Sequence, residues 1–452
     1  MAGLFQISNI RKTLNYMKRN GFRAAKNATL ERIGASFGKK YRYEALSDFA
    51  LREQIDLQSK YEITFSILVP AYETPEKYLR ELIDSCLMQT YGRFELLIAD
   101  ASVSEQVKQV VESFKDSRIQ YLRLSENGGI SENTNAALAR ANGQYIALLD
   151  HDDLLTPDAL YECAVCIEEH KERGQKLSLI YSDEDKCDET GKRFYDPNIK
   201  PKFNRDLILS NNYICHLLVL EADLFKELKL RKEYDGAQDH DLVLRVLDKL
   251  WDQQDFPYAH IPKVLYHWRC HESSTAQNPE SKTYAYEAGK RAIEAFNASR
   301  GFKGAVSETK HKGFFRTKYE PSVFDNRREV AAVGGKIIDR HGQICGGGMD
   351  EEGRILFEGL KKNYAGPCNR ADCRQEVYAL DIRCIQCSAE GERILKEVLG
   401  VDYLTHPETG LFYCKGCLPD DANLFEYSLE FAKKVHEEGL RLLWDPEMSV
   451  RK

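Results

Sequence analysis

Asp150-His151-Asp152-Asp153 closes the apolar run Tyr145-Ile-Ala-Leu-Leu149. Carboxylate oxygens in that position suit a hard divalent cation, Mg2+ or Mn2+, which takes oxygen ligands and shares them with phosphate. Both acids need not touch the metal, since one can hold a ribose. Three other clusters could act with them. Gln238-Asp239-His240-Asp241 opens a helical stretch, Ser182-Asp183-Glu184-Asp185 presents three successive acids, and Trp268-Arg269-Cys270-His271 combines an aromatic face, a guanidinium and an imidazole. A transfer away from a diphosphate needs a cation for the leaving charge and polar groups for base and ribose. With inversion it also needs one carboxylate to take a proton from the incoming hydroxyl. Each cluster also has a plainer reading. Acids at a strand end can cap the next helix, which Thr156-Pro157-Asp158 could begin. A first-turn acid such as Asp239 can simply stabilise its helix, and Trp268 can belong to the core.

These clusters need elements to hold them, and the hydrophobic pattern supplies a set. Apolar runs at Phe65–Val69, Phe94–Ala99, Ile119–Leu124 and Tyr145–Leu149 predict strands. Helical spacing falls between them, over Tyr78–Gln89, Val103–Phe114 and Ser131–Ala141. Strands alternating with helices of this length predict βαβ units and a parallel sheet. In such sheets ligands bind beyond the carboxyl ends of the strands. There the sequence places Pro70-Ala71-Tyr72-Glu73, Asp100-Ala101-Ser102, Asn127-Gly128-Gly129 and the Asp150 group. No Gly-x-Gly-x-x-Gly or Gly-x-x-x-x-Gly-Lys loop follows the first strand, which disfavours a dinucleotide dehydrogenase and a P-loop enzyme.

Further along, Leu177–Tyr181 predicts a strand, Asp239–Leu250 a helix, His260–His267 an extended segment and Thr283–Arg300 an amphipathic helix. Residues 320–452 read as a separate, smaller α/β domain with a strand at Val330–Ile338. A helix over Asn423–Glu438, then Gly439, then a strand stopped by Pro446 echoes the order from Asp239 to Pro262. That echo suggests a diverged internal repeat, a degenerate half lacking the first block and any Asp-x-Asp. The expected organisation is a basic helical segment at 1–60, a central domain at 61–315 and this domain at 320–452.

Composition is globular, and no apolar run is long enough to span a bilayer. The start lacks the pattern of a signal peptide, so the expected location is the cytoplasm. Net charge is −7, yet residues 1–45 hold ten Lys or Arg against Glu31 and Glu44. Leu4, Ile7, Ile10, Leu14 and Met17 fall at helical steps among those charges. Such a basic amphipathic helix either lies on an anionic membrane surface or packs its stripe on the protein's own core. Thirteen cysteines in a large cytoplasmic chain predict reduced thiols. Cys384, Cys387, Cys414 and Cys417 form two Cys-x-x-Cys pairs that could close a structural Zn2+ site. Cys384 and Cys387 could equally be small apolar filler on an extended segment.

The stretch from Ser125 to Leu155 resembles family-2 glycosyltransferases of the GT-A fold, inverting enzymes of the bacterial cell-surface polysaccharide type. So do Ile67-Leu-Val-Pro-Ala-Tyr72, Gln89-Thr-Tyr91, Glu95-Leu-Leu-Ile-Ala-Asp100 and Gly236-Ala-Gln-Asp-His-Asp-Leu-Val-Leu-Arg245. The likeness runs over about residues 61–310 and implies a Rossmann-like, mainly parallel sheet flanked by helices. It further implies that Pro70, Ala71, Tyr72 and Glu73 line a nucleotide pocket, that Asp100 meets the base, and that Asp150 approaches ribose. Asn127, Gly129, Asn135 and Arg269 would add donor contacts, Arg269 to phosphate. Asp152 would ligate the metal, with His271 as a further metal or diphosphate contact, and Asp239 would be the general base. Asp183, Glu184, Asp185, Gln238 and Trp268 would border the acceptor. Position 101 is Ala where many relatives have a second Asp, which leaves base and sugar preference open.

The resemblance therefore implies a metal-dependent hexosyltransferase moving a sugar from a UDP- or dTDP-sugar to a glycan or lipid-linked hydroxyl, with no nucleic-acid partner. The basic N-terminus suggests peripheral attachment at the inner membrane face. Two other readings differ in class. A catalytically silent scaffold or sugar-binding protein would not need Asp150, Asp152, Asp239 and His271 intact. A nucleotidyltransferase would want a Gly-rich basic loop where Pro70-Ala-Tyr-Glu-Thr-Pro75 stands.

Overall fold

The computed structural model describes residues 7–36, 41–253, 256–271, 283–400, 404–405, 412–413 and 423–451. The chain divides into two compact units. One comprises residues 41–203 and 212–299; the other comprises 1–40, 204–211 and 300–452. The expected 1–60 segment is thus cut near residue 40, and its first part groups with the C-terminal residues.

The first unit is built on one mixed sheet. Its strands are β1 (Phe65–Ala71), β2 (Phe94–Asp100), β3 (Ile119–Arg123), β4 (Tyr145–Leu148), β5 (Leu154–Leu155), β6 (Leu179–Cys187), β7 (Phe194–Asn198), β8 (Leu218–Glu221) and β9 (Tyr258–Arg269). They lie in the order β3-β2-β1-β4-β8-β6-β9-β5, with β7 on β6. The β3-β2-β1-β4 half is parallel throughout, as the βαβ pattern requires. Beyond it β8 runs antiparallel to both β4 and β6, while β6 and β9 are parallel. Two antiparallel steps restore direction, so β6 and β9 end on the same side of the sheet as β1, β2 and β4. The start of β8 comes to that side too, because Leu218 lies opposite Leu148, which pairs with Leu68. One end of the sheet therefore collects every acidic cluster singled out in the sequence.

The helices of the chain up to residue 299 are α1 (Ile7–Ser36), α2 (Asp48–Leu57), α3 (Glu76–Leu87), α4 (Gln106–Ser113), α5 (Ile130–Leu138), α6 (Ala159–Glu172), α7 (Arg205–Ile208), α8 (Ala222–Leu228), α9 (Gln238–Lys249) and α10 (Thr283–Ser299). The periodic residues Leu79, Leu82, Ile83 and Cys86 of α3 are buried against β1 and β2, in one core with Val107, Val110 and Val111 of α4. Tyr91 is fully buried, and its hydroxyl donates to the carbonyl of Ile63 at 2.7 Å. Gly143 precedes β4 where a Cβ would stand 2.5 Å from the amide nitrogen of Ser66. Only glycine allows the turn into β4 to pass so close to β1.

In the second unit Val330–Ile338 is the central strand. Arg441–Arg451 pairs with it in parallel, and Ile344–Gly346 and Ile385–Cys387 pair antiparallel. Helices Ala389–Leu399 and Leu424–Glu437 cover a core around Trp444 and Phe431. The last strand was expected to stop at Pro446 but continues to Arg451. The register shifts between Gly334↔Trp444 and Lys336↔Ser449. Pro446 sits in that irregularity, where no ladder hydrogen bond is needed from it. Cys384 closes a short 3-10 turn, Ile382–Cys384, and is buried, while Cys387 lies on the next strand. Cys414 and Cys417 lie outside the described residues, and with them the expected zinc site.

Candidate active site

The site forms because short loops deliver polar residues to one end of the sheet in the first unit. Asp150, at the exit of β4, lines a cleft floor with Pro70 from β1, His216 from the loop before β8, and Gln238 and Asp239 from the start of α9. Desolvation at this floor raises the Asp150 carboxyl above its usual range. The charge of His216 works against the rise, and those of Asp152 and Asp239 add to it. Asp150 is therefore close enough to sense both of the other acids.

Asp152 meets His271 directly, Oδ2 to Nε2 at 2.7 Å. Burial pushes this carboxyl up, but the His271 hydrogen bond and the charges of His151 and His271 outweigh it, so Asp152 is held below the ordinary value. Asp153 is buried. It accepts from the backbone amide of Arg269 at 2.7 Å and from the Tyr266 hydroxyl at 2.5 Å. Burial, reinforced by Asp152 and Asp150, raises its carboxyl well above the usual range.

Asp239 lies in the first turn of α9, whose N-cap, Ala237, offers no side-chain cap. The first-turn amides there are left without a side-chain cap. Asn212 Nδ2 donates to Asp239 Oδ2 at 2.8 Å, and among the described residues Asn212 Oδ1 is buried without a hydrogen-bond partner. A carboxylate oriented by one amide beside a buried acceptor is an arrangement suited to receiving a hydroxyl.

Several of the expected donor and acceptor residues are engaged within the protein itself. Arg269 is fully buried and is not placed to meet phosphate. Its Nε donates to the Asp152 carbonyl at 2.6 Å, its NH1 to the Glu189 carbonyl at 3.1 Å, and its NH2 stands 2.7 Å from Glu81 Oε2. Arg269 is a strut under the Asp152 loop. Replacing it with Met should lower stability by about 3–5 kcal/mol, the scale for removing one partner of a buried ion pair. The check is urea unfolding of Arg269→Met; a midpoint equal to the parent's would refute the strut. Asn135 does not face a donor either. Its amide binds the carbonyl and amide of Leu230, at 2.8 and 2.9 Å. Asp183 and Asp185 point to the same side of β6, where they pair with His260 at 2.8 Å and His267 at 2.5 Å, both acids buried. That leaves Glu184, one residue out of phase, as the only acid of the trio turned toward His216.

Other assigned residues hold loops in place. Glu73, with φ 47, accepts from the amides of Val103 and Ser104 and the Ser104 hydroxyl. The Ser104 hydroxyl and amide hold its carboxyl below the usual range. Asp100 is buried and binds the Tyr121 hydroxyl, Arg123 NH1 and the Ser102 amide. Asn127 Oδ1 accepts from Gly129 N and Asn133 Nδ2. At Gly129, φ is 96 and a Cβ would meet Asp235 Oδ2 at 2.3 Å. Ala71 is buried, Tyr72 is exposed, and Gln238 Oε1 accepts from the Gly236 amide at 2.8 Å. Trp268 is half-buried with its ring 5.4 Å from that of His216.

His216 was not legible as a site residue. Its Nδ1 meets Glu184 Oε2 at 2.9 Å, its Nε2 lies 3.8 Å from Asp150 Oδ2, and its ring stacks on Tyr266 at 4.7 Å. Burial disfavours its charged form, but Cys215 and Glu184 favour that form more strongly, so its pKa is raised well above the usual value. Its φ is 58, an uncommon backbone region outside glycine that clusters at functional sites. The sequence around it, Asn211-Asn-Tyr-Ile-Cys-His216, has no spacing that separates it from an ordinary polar loop.

For a metal, ligand atoms of Asp150, Asp153 and His216 lie within 4.8 Å of one another among the described residues. Asp153 already accepts with both oxygens, which leaves Asp150 as the carboxylate of this group open to a hard cation. An oxygen-rich donor set of this kind matches Mg2+ or Mn2+.

Comparison with known proteins agrees with this geometry. The model of the family "Glycosyl transferase family 2" matches residues 66–228. An uncharacterized protein, y4gI, of Sinorhizobium fredii is 42% identical over 51% of this chain and 25% of its own length. The O-antigen biosynthesis protein RfbC of Myxococcus xanthus is 32% identical over 54% of this chain and 18% of its own. The chain thus spans a quarter or less of these two relatives. A crystal structure of S. aureus TarS 1-349 in complex with UDP-GlcNAc is 20% identical, covering 52% of this chain and 66% of that one, with a TM-score of 0.41. The parallel β3-β2-β1-β4 half, Phe65 apart, and the acids at its carboxyl ends fall within residues 66–228, the stretch that matches the glycosyl transferase family 2 model, as the expected GT-A fold requires.

Proposed function

We propose that this chain is a metal-dependent, inverting glycosyltransferase. It moves a sugar from a nucleotide-sugar donor, of the UDP or dTDP class, to a hydroxyl of a glycan or lipid-linked acceptor. The observation that carries the reading is the shared cleft of Asp150 and Asp239, with Asp152 and His271 beside it. In this reading Asp150 and Asp152 serve ribose and cation, and Asp239 removes the acceptor proton. The cation, when bound, neutralises charge that develops on the departing diphosphate. Tyr72, exposed at the end of β1, and Pro70 border the base, and Trp268 and Glu184 border the acceptor. The name of the RfbC relative, an O-antigen biosynthesis protein, supports a place in cell-surface polysaccharide synthesis. Residues 320–452 then serve as a degenerate half of a second domain of this kind, without its own metal corner.

The test is donor binding with and without metal. A panel of UDP- and dTDP-sugars, measured by calorimetry with Mn2+ and then with chelator, should yield at least one donor whose binding depends on the metal. Asp152→Ala should weaken that metal-supported binding about 10–100-fold. The reading fails if no sugar nucleotide binds with Mn2+, or if Asp152→Ala binds as the parent does.

A further inference from the structure

Helix α1 turns its large apolar side chains outward. It is broken at Gly21, with φ 83 and ψ 164, so the residues after the break form their own helical segment. At 3.6 residues per turn, Phe22, Ile33, Lys26, Leu30 and Arg23 fall on about 100° of its circumference. All five are exposed, Phe22 at 73%, Leu30 at 46% and Ile33 at 36%. The opposite side carries Ala24, Asn27, Ala28 and Glu31, with Ala25 buried at its flank. Glu31 accepts from the amides of Ala365 and Gly366, at 3.1 and 2.7 Å. This helix thus docks through small and polar residues and leaves its bulk in solvent, the reverse of a helix that serves only its own core. Before the break Leu14 is 47% exposed beside exposed Lys18 and Arg19. The stripe expected from the sequence overlaps only in part: Leu14 is exposed, Met17 is half-buried, Leu4 lies outside the described residues, and so do the side chains of Ile7 and Ile10.

Charge says what covers this face. Lys18, Arg23, Lys26 and Arg32 have no ion pair among the described residues, and no acid lies on the exposed stripe. Cations interleaved with Phe, Leu and Ile match an anionic lipid surface, whose headgroups take the charges and whose acyl boundary takes the apolar side chains. A nucleic acid would leave Phe22, Leu30 and Ile33 without an apolar partner. We propose that the exposed face of α1, from Leu14 to Ile33, docks the protein on an anionic membrane. The proposal goes beyond the transfer reading and does not depend on it.

Full-length protein should sediment with vesicles of phosphatidylcholine and phosphatidylglycerol in equal parts, not with phosphatidylcholine alone, and less as salt rises. Phe22→Glu with Leu30→Glu should lower the partition coefficient at least about tenfold, and Lys18→Glu with Lys26→Glu by a similar factor. Both pairs should keep the parent's melting temperature, since the altered side chains are in solvent. Absence of binding to the anionic vesicles would overturn the proposal. So would equal binding by Phe22→Glu/Leu30→Glu, or a parent that is dimeric without lipid and becomes monomeric with that pair. Because donor binding and transfer to a soluble acceptor are measured without lipid, failure here is distinct from failure of the transfer reading.

Discussion

Asp239→Asn should abolish most sugar transfer while leaving donor and metal binding nearly intact. The substitution removes the one property a general base needs and keeps the shape of the site. An asparagine oxygen can still accept from Asn212 Nδ2, now 2.8 Å from Asp239 Oδ2, so the loop and the start of α9 should hold. The lost negative charge at the helix N-terminus costs about 0.3–1 kcal/mol, too little to unfold a domain. Loss of general base catalysis alone is worth about 10²–10⁴-fold in turnover. Initial rates of transfer, with the donor Kd from calorimetry in parallel, make the comparison. Turnover within a few-fold of the parent would remove Asp239 from its role. A matching loss of donor binding would place it among the donor contacts.

Most of what positions Asp239 could be read from residue order. Buried parallel strands are continuous apolar runs, so β1, β2 and β4 are plain in the sequence, and their carboxyl ends mark the site by topology alone. The second half was harder to read. Its sheet order depends on β8 returning antiparallel between β4 and β6, a long-range pairing that local pattern does not encode. His216 reaches the cleft only through that pairing, which explains why it stayed hidden in a polar loop.

Residue type also misleads where a donor or acceptor can serve either ligand or scaffold. Arg269 and Asn135 have the chemistry of phosphate and sugar contacts but bind the protein's own carbonyls and carboxylate. Nothing in their spacing separates the two uses. The acid trio was different, because strand alternation forbids Asp183, Glu184 and Asp185 from facing one side together. That period, applied to β6, divides them from the sequence alone. For α1 the sequence carried the basic, apolar composition, while the exposed residues after Gly21 lie beyond the stripe from Leu4 to Met17, because the break there resets the helical phase.

His216→Gln tests whether the Glu184–His216–Asp150 line belongs to the working site. Glu184 is buried, at 6% exposure, and anchors Nδ1, which leaves Nε2 toward Asp150. The histidine's raised pKa keeps it positive at neutral pH, and that charge opposes the desolvation that raises Asp150. Glutamine keeps a hydrogen-bonding group but no charge. Asp150 should then need a higher pH to ionise, so the acid limb of the kcat/KM profile should move upward in pH. At pH 7 the loss in kcat/KM should be about 10–100-fold, as for groups that orient a ligand from behind. Glu184→Gln should shift the profile in the same direction by less, because the imidazole remains but its charged form loses its partner. A structural role alone predicts a lower melting temperature with an unmoved pH profile, and that result would exclude His216 from the chemistry. An intact profile with normal turnover in both variants would make the line a packing feature beneath Asp150.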